Sequence, residues 1–329
     1  MTQLHTRRRV VAGAAALGAA LGLPRLVFGQ VTFPDKSKTI KAIVPFGPGA
    51  TVDVLGRVYA QQVGRILDTT IVVDNRPGAE GVLGVQAAKT APADGYTYLC
   101  ASISTQVVNP HFFKKPPYES QKDFIPIAGT MKTPFVMIAG PNLPFKTVKE
   151  FVAAAKSEPG KFTFASISSA TRLAGEMFAK AAGIQLLNIP YKNQSDFISD
   201  TLANRVNVFF ADPGNLIANL SLGLRGLAAC TKTPLSRLPE IPTLESQGIP
   251  LEIVGYHSAY VPAGTPANAL GALIDAFRKA EASKAVRDYI ASTGNEPMTL
   301  FGDEFAAYER AEFDRWGKAA REAGLAGTL

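Results

Sequence analysis

From Ile40 onward, short apolar runs alternate with segments whose apolar residues recur at helical spacing. This alternation constrains the fold more than any other feature of the sequence. The run 40–44 ends at Pro45. Across 52–66, Val54, Leu55, Val58, Tyr59, Val63 and Ile66 fall on one face of a helix. Residues 70–74 read as a strand, Asn75-Arg76-Pro77-Gly78-Ala79 as a turn leading into a helix through Lys89, and 96–100 as the next strand. Repeated strand–helix–strand units predict α/β architecture, with a parallel sheet covered by helices on both faces.

The pattern then repeats. Residues 135–139, 162–166, 185–190, 206–211 and 224–230 read as strands. The intervening helices include 147–157, with Thr147 and Glu150 placed for a capping box, and 173–182, which Gly183 would stop. After Gly255 come a strand, two helices over 266–280 and 284–292, and a last helix from Asp303 to Glu322. Phe305, Tyr308, Phe313 and Trp316 form one face of that helix and read as core. About three hundred residues exceed one ordinary core, so two α/β domains are expected. The first unit needs the C-terminal helices to cover its sheet. It therefore reads as discontinuous, 30–131 with 256–329, around a second domain of 132–255. Two such domains leave a ligand cleft between them, at the carboxyl ends of the strands.

The N-terminus carries Arg7-Arg8-Arg9, then an uncharged apolar run over 10–23, then Val27 and Gly29 as a small-residue cleavage site. That order predicts an export signal over 1–29 and a periplasmic location. The arginine pair also resembles a twin-arginine signal. The leader holds Arg7, Arg8, Arg9 and Arg25 and no acid, so removing it lowers the formal charge from +7 to +3. No later Lys/Arg block is dense enough for a nucleic-acid partner. Two cysteines, Cys100 and Cys230, each end an apolar run and read as buried free thiols. With His111 and His257 they give no metal-ligand spacing, and no cofactor is expected.

The chemistry lies in the loops after strands. Phe46-Gly47-Pro48-Gly49-Ala50-Thr51 leads into a helix whose free N–H groups form an anion site, with Thr51 placed to cap it. Asp53 reads as a partner of the helix dipole. Val52 stands where a nucleotide fingerprint needs its last glycine, and no Walker lysine follows. Two hydroxyl-rich loops, one in each unit, contain Ser102, Ser104 and Thr105, and Ser166, Ser168, Ser169, Ala170 and Thr171. Such loops hold a carboxylate without adding charge, although helix capping accounts for any single residue among them. Tyr191 and Asp212 end two further strands, and Asp212 reads either as an acceptor for an ammonium group or as a helix cap. The candidate ligand contacts are therefore Phe46, Gly47, Gly49, Ala50, Thr51, Ser102, Thr105, Ser166, Ser168, Ser169, Ala170, Thr171, Tyr191 and Asp212. No G-x-S-x-G elbow, H-E-x-x-H or Cys-His motif is present, and an enzyme acting on small carboxylates is the alternative class.

At these loops the chain resembles the Bug family, the extracytoplasmic receptors of tripartite tricarboxylate transporters. Residues 43–53 resemble its "VPF-PGG-D" opening and 72–81 its "VVENRPGAGG" segment. Ala93-Asp94-Gly95-Tyr96-Thr97 matches "PDGYT", Ile189-Pro190-Tyr191-Lys192 matches "VPYKG", residues 238–243 match "LPDVPT" and 261–266 match "APAGTP". The matches run in order across the chain after the leader. The resemblance implies a type II periplasmic-binding-protein-like fold. It also implies a carboxylate held by the loops at 46–53 and 166–171, and a membrane permease as partner to a monomeric receptor. Ala50 replaces the second glycine of the opening pair, and Asn193 replaces the glycine of "VPYKG". Residues 166–169 stand where the family is glycine-rich, and Leu173 lies near its usual histidine. These changes crowd the second-domain side. They raise an aromatic acid, terephthalate-like or nicotinate-like, beside the aliphatic dicarboxylates and amino acids.

Overall fold

The computed structural model describes residues 33–329, and the leader expected over 1–29 lies outside them. Eleven strands occur among the described residues: β1 (Ile40–Val44), β2 (Ile71–Asn75), β3 (Thr97–Ser102), β4 (Phe124–Pro134), β5 (Val136–Ala139), β6 (Thr163–Ser166), β7 (Leu187–Pro190), β8 (Val208–Ala211), β9 (Arg225–Ala229), β10 (Val254–Pro262) and β11 (Glu296–Phe301). They form two sheets, one ordered β11-β4-β10-β3-β1-β2 and one β7-β6-β8-β5-β9. Each sheet carries helices, giving two α/β lobes.

The sheets are mixed rather than parallel. β1 runs parallel to β2 and β3, and β6 runs parallel to β7 and β8, as strand–helix–strand units require. Against them run β10 and β11 in the first sheet and β5 in the second, while β4 and β9, antiparallel to these neighbours, run with the parallel set. For β10 the reason is the path between lobes. The chain leaves the first sheet along β4 and returns to it along β10, and an out-and-back pair of neighbours must be antiparallel. Val254 at the start of β10 pairs with Pro134 at the end of β4. Between them the Phe135 N–H donates to Ile253 O (3.1 Å) and Phe135 O accepts from the Cys230 N–H (2.8 Å). This junction fixes the base of the cleft.

One face of the first sheet packs Leu55, Tyr59 and Val63 of the helix Thr51–Leu67 against Leu273 and Phe277 of the helix Ala267–Glu281. The other face belongs to an apolar cluster that includes Val85, Tyr260, Phe305 and Trp316 and also Phe135, Phe164, Phe178 and Phe210 of the second lobe. Each fully buried Phe contributes about 1.5–3 kcal/mol, so these rings hold both sheets to their helices. In the second lobe the helix Ser169–Ala182 lies close on β6. A Cβ on Gly175 would sit 2.2 Å from the Phe164 ring, so only glycine allows the approach that sets this helix start at the cleft. The capping box of Thr147 and Glu150 forms, and Gly183 ends its helix in the left-handed region (φ 64°).

Cys100 and Cys230 are free and buried. Burial, reinforced by the charge of Asp53, pushes the Cys100 thiol up to about 12, and burial pushes Cys230 up as well. Thiolate is the reactive form. Native protein is therefore expected to leave both thiols unlabelled by a thiol reagent, and denatured protein to take up two equivalents. Rapid labelling of either thiol in the native state would contradict their burial.

Candidate functional site

Between the lobes lies a cavity of about 130 Å³. The loop after β1 and the loop after β6, in different lobes, both line it: Phe46, Ala50, Thr51 and Val52 on one side, and Ile167, Ser168, Ala170 and Thr171 on the other.

The first side is shaped by Asp53. Its buried carboxylate accepts from the Gly49 N–H (2.9 Å) and from Asn75 Nδ2 (2.8 Å), and it pairs with Arg57 (2.9 Å). Burial pushes its carboxyl up, but these donors outweigh it and leave Asp53 below the usual range. Asn75 also donates to Phe46 O at 2.9 Å. The loop is thus tied to the protein's own carboxylate, and the Gly49 amide is already engaged. Thr51 does not cap the helix. The N-cap is Ala50, with no side-chain bond, and Thr51 is the first helical residue. Its hydroxyl instead crosses the cleft to Asp212 Oδ2 at 3.0 Å. The amides of Thr51 and Val52 have no acceptor within the helix, because no turn precedes them, and both residues line the cavity.

On the second side, Ser168 caps the helix Ser169–Ala182. Its hydroxyl accepts from the Thr171 N–H (3.4 Å), while Thr171 Oγ1 accepts from the N–H groups of Ser168 (3.1 Å) and Ile167 (3.0 Å). The capping reading therefore holds for both hydroxyls, and both residues also line the cavity. Ser104 Oγ donates across the cleft to Ser168 Oγ (3.1 Å), and the Ser169 hydroxyl donates to Ser104 O (3.3 Å). With the Thr51–Asp212 bond, three hydrogen bonds join the lobes at the cavity wall.

Of the residues singled out from sequence, Phe46, Ala50, Thr51, Ser102, Ser168, Ala170, Thr171 and Asp212 line the cavity, and Gly47, Gly49, Thr105, Ser166, Ser169 and Tyr191 do not. The reasons are local. Gly49 gives its amide to Asp53. Thr105 is fully buried, with its hydroxyl on Ser102 O at 3.1 Å. Ser166 O is held by the Tyr191 N–H (2.7 Å) beside the strand ladder, and buried Ser169 bonds to Ser104. Tyr191 packs its ring behind Phe197, with centroids 6.2 Å apart, and gives its hydroxyl to Asp200. Asp212 is both cap and lining: it accepts from the Asn215 N–H (3.3 Å), from Asn215 Nδ2 and from Thr51, and Gln194 donates in turn to Asn215.

Several lining residues carry no loop signal in the sequence. Phe135, Phe209, Phe210, Tyr256 and His257 lie on or between strands, and with Phe46 and Phe197 they bring rings to a lining otherwise made of small apolar and hydroxyl residues. Burial pushes His257 down to about 4, although the Asp212 carboxylate and a hydrogen bond to the Ala101 backbone pull it back up, so the imidazole is neutral near neutral pH. No lysine or arginine is among the lining residues. Arg76 pairs with Asp74 at 3.1 Å, Lys192 is exposed, and the Arg172 guanidinium stacks over Phe112, 5.8 Å from its centroid. The arrangement offers neutral donors and two helix starts to an anion, inside a ring-lined space.

The sequence profile described as the tripartite tricarboxylate transporter family receptor matches residues 55–325. Protein BugT of Bordetella pertussis is 31% identical over 301 residues, covering 89% of this chain and 91% of that protein. The solved periplasmic binding protein BugD superposes with a TM-score of 0.82 at 26% identity, over 88% of this chain and 98% of that one. An R. palustris protein solved with adipate gives 0.82 at 25% identity, over the same 88% and 98%.

Proposed function

The chain belongs to the tripartite tricarboxylate transporter receptor family, and from that premise we propose that it is a periplasmic solute-binding protein. It captures a small organic carboxylate and delivers it to the membrane permease of a tripartite tricarboxylate transporter. The two candidate cargoes are a dicarboxylate and an aromatic acid such as terephthalate. The observation that carries the reading is a cavity with two helix starts, hydroxyls and no lysine or arginine in its lining. Helix-start amides are oriented by folding and so hold a carboxylate without a salt bridge. The rings in its lining favour an acid with a flat apolar body over an aliphatic chain. In this reading residues 30–131 with 256–329 and residues 132–255 act as two domains that close over the ligand about the β4–β10 junction. The leader sends the chain to the periplasm, where it works as a monomer. The site residues that meet the cargo are Phe46, Ala50, Thr51, Ser102, Ser168, Ala170, Thr171 and Asp212.

The test is calorimetric titration of the leader-free protein with a panel of aliphatic and aromatic acids, followed by chromatography of the recovered ligand. One ligand per chain, recovered unchanged, is the expected result. Turnover of any acid, persisting after repurification and lost with a cavity variant, would make the protein an enzyme instead.

A further inference from the structure

Charge is unevenly placed around the cavity. Asp212 is the one carboxylate among the lining residues, and no lysine or arginine lies there to offset it. The other acid at the strand ends, Asp53, is paired with Arg57 at 2.9 Å. Asp212 has no such partner: none of the ion pairs among the described residues includes it. Its donors are the Thr51 hydroxyl (3.0 Å), the Asn215 N–H (3.3 Å) and Asn215 Nδ2, all neutral, and Thr51 and Asn215 line the cavity beside it. These bonds fix the carboxylate in the wall and leave its charge without a counter-charge. On the favourable side stand the starts of the helices Thr51–Leu67 and Ser169–Ala182. Each acts as roughly half a positive charge, so together they offset about one carboxylate.

We infer that Asp212 limits the cargo to a single negative charge. The preferred cargo is then a monocarboxylate on an uncharged, ring-sized body, and dianions are rejected. The two helix starts are matched by the first carboxylate. A second one would enter a wall without a cation and meet the charge of Asp212 at short range. Like charges repel far more strongly in such a poorly hydrated wall than in water. The inference rests on the carboxylate reading above and narrows it to a substrate class. Of the cargoes named there it keeps the aromatic acid with one carboxylate and sets aside the dicarboxylate and terephthalate.

Acids matched in shape but not in charge test it. The leader-free protein is titrated at neutral pH with terephthalate and its monoamide, 4-carbamoylbenzoate, and with succinate and its monoamide, succinamate. In the pair that binds, the monoamide should be tighter by about tenfold to hundredfold, the effect of one like-charge contact in a poorly hydrated wall. If neither pair binds, the best acid of the wider panel is compared with its counterpart of one charge more or less. Asp212→Asn removes the charge and keeps a residue suited to the helix cap, and Asp212→Ser does the same with a smaller side chain. Either should strengthen binding of the dianion by about tenfold and bring the pair toward parity. A damaged site would weaken both acids together, so the gain for the dianion separates a charge filter from a structural role. Should neither variant melt cooperatively, the ranking by the parent protein still decides the matter. A dianion that binds as tightly as its singly charged counterpart, or a ratio unchanged in a folded variant, overturns the inference while leaving the receptor reading in place. Failure of every acid in the panel refutes the carboxylate reading and this inference with it.

Discussion

Replacing Ser168 by alanine is expected to weaken carboxylate binding about ten- to hundredfold, whereas Arg76→Ala and Lys192→Ala should stay within about twofold of the parent. The Ser168 hydroxyl has three tasks. It caps the helix Ser169–Ala182 by accepting from Thr171, it takes the Ser104 hydroxyl across the cleft at 3.1 Å, and it belongs to a cavity-lining residue. Losing a serine cap costs about 0.5–2 kcal/mol and loosens the helix start whose amides face the ligand. The cross-lobe bond adds about 1 kcal/mol, and its loss leaves the Ser104 hydroxyl without its partner. Together these reach roughly 1.5–3 kcal/mol, which is the predicted range in affinity. Arg76 is bound to Asp74 on the outside of the molecule, its side chain 56% exposed, and an ion pair so exposed contributes little. Calorimetric titration of the three variants with the best ligand checks this, and a melting curve of each without ligand separates cap loss from site loss. If a cation variant abolishes binding and Ser168→Ala is silent, the site is a salt-bridge clamp and the account of neutral donors is wrong.

The sequence made the element order and the position of the cleft legible because both rest on local pattern. Period-3.6 and short apolar runs mark helices and strands, and strand-end loops mark where a cleft must form. It did not show the antiparallel strands. Strand direction is set by where the chain re-enters the first sheet, at Val254 beside Pro134, and no local pattern encodes that meeting. The hydroxyl residues were found, but their division of labour was not. Thr51 looks like a cap and instead reaches Asp212, 161 positions away, while Asp53 is an acid in the first turn of its helix, as a dipole partner would be, and in addition occupies the amide of Gly49. These are tertiary choices between partners of equal chemistry. His257 and the rings of Phe135, Phe209 and Phe210 were missed because they lie on or between strands, where an apolar or aromatic residue reads as core.

Gly84→Ala should lower the stability of the leader-free protein by about 2–4 kcal/mol, a fall in Tm of roughly 5–10 °C, while Gly271→Ala should raise stability by about 0.5–1 kcal/mol. Both glycines lie inside helices, Gly84 in Val82–Lys89 and Gly271 in Ala267–Glu281, and at each the φ is ordinary. Helix propensity alone favours alanine at either site by about 1 kcal/mol. Space decides between them. A Cβ at Gly271 meets nothing within 4 Å. A Cβ at Gly84 would sit 2.5 Å from Pro45 Cα, 2.7 Å from Pro45 Cβ and 2.9 Å from Arg76 O, and two of these three atoms are backbone. No side-chain rotation relieves such contacts. The helix must move off the loop, or the loop must move toward the cavity, and the cost of overpacking exceeds the gain in propensity. Pro45 precedes Phe46, which lines the cavity, and Arg76 N–H donates to Val44 O at 2.7 Å, so the strain is delivered to both loops that shape the first side of the site. Gly84→Ala is therefore expected to lose at least tenfold in ligand affinity as well as stability, whereas Gly271→Ala should bind as the parent does. Thermal melts and titrations of the two variants, made side by side, measure both quantities. Equal gains in Tm from both substitutions would show that the helix Val82–Lys89 does not press on the Pro45 turn, and the close approach assigned to Gly84 would have no part in holding Phe46 at the cavity.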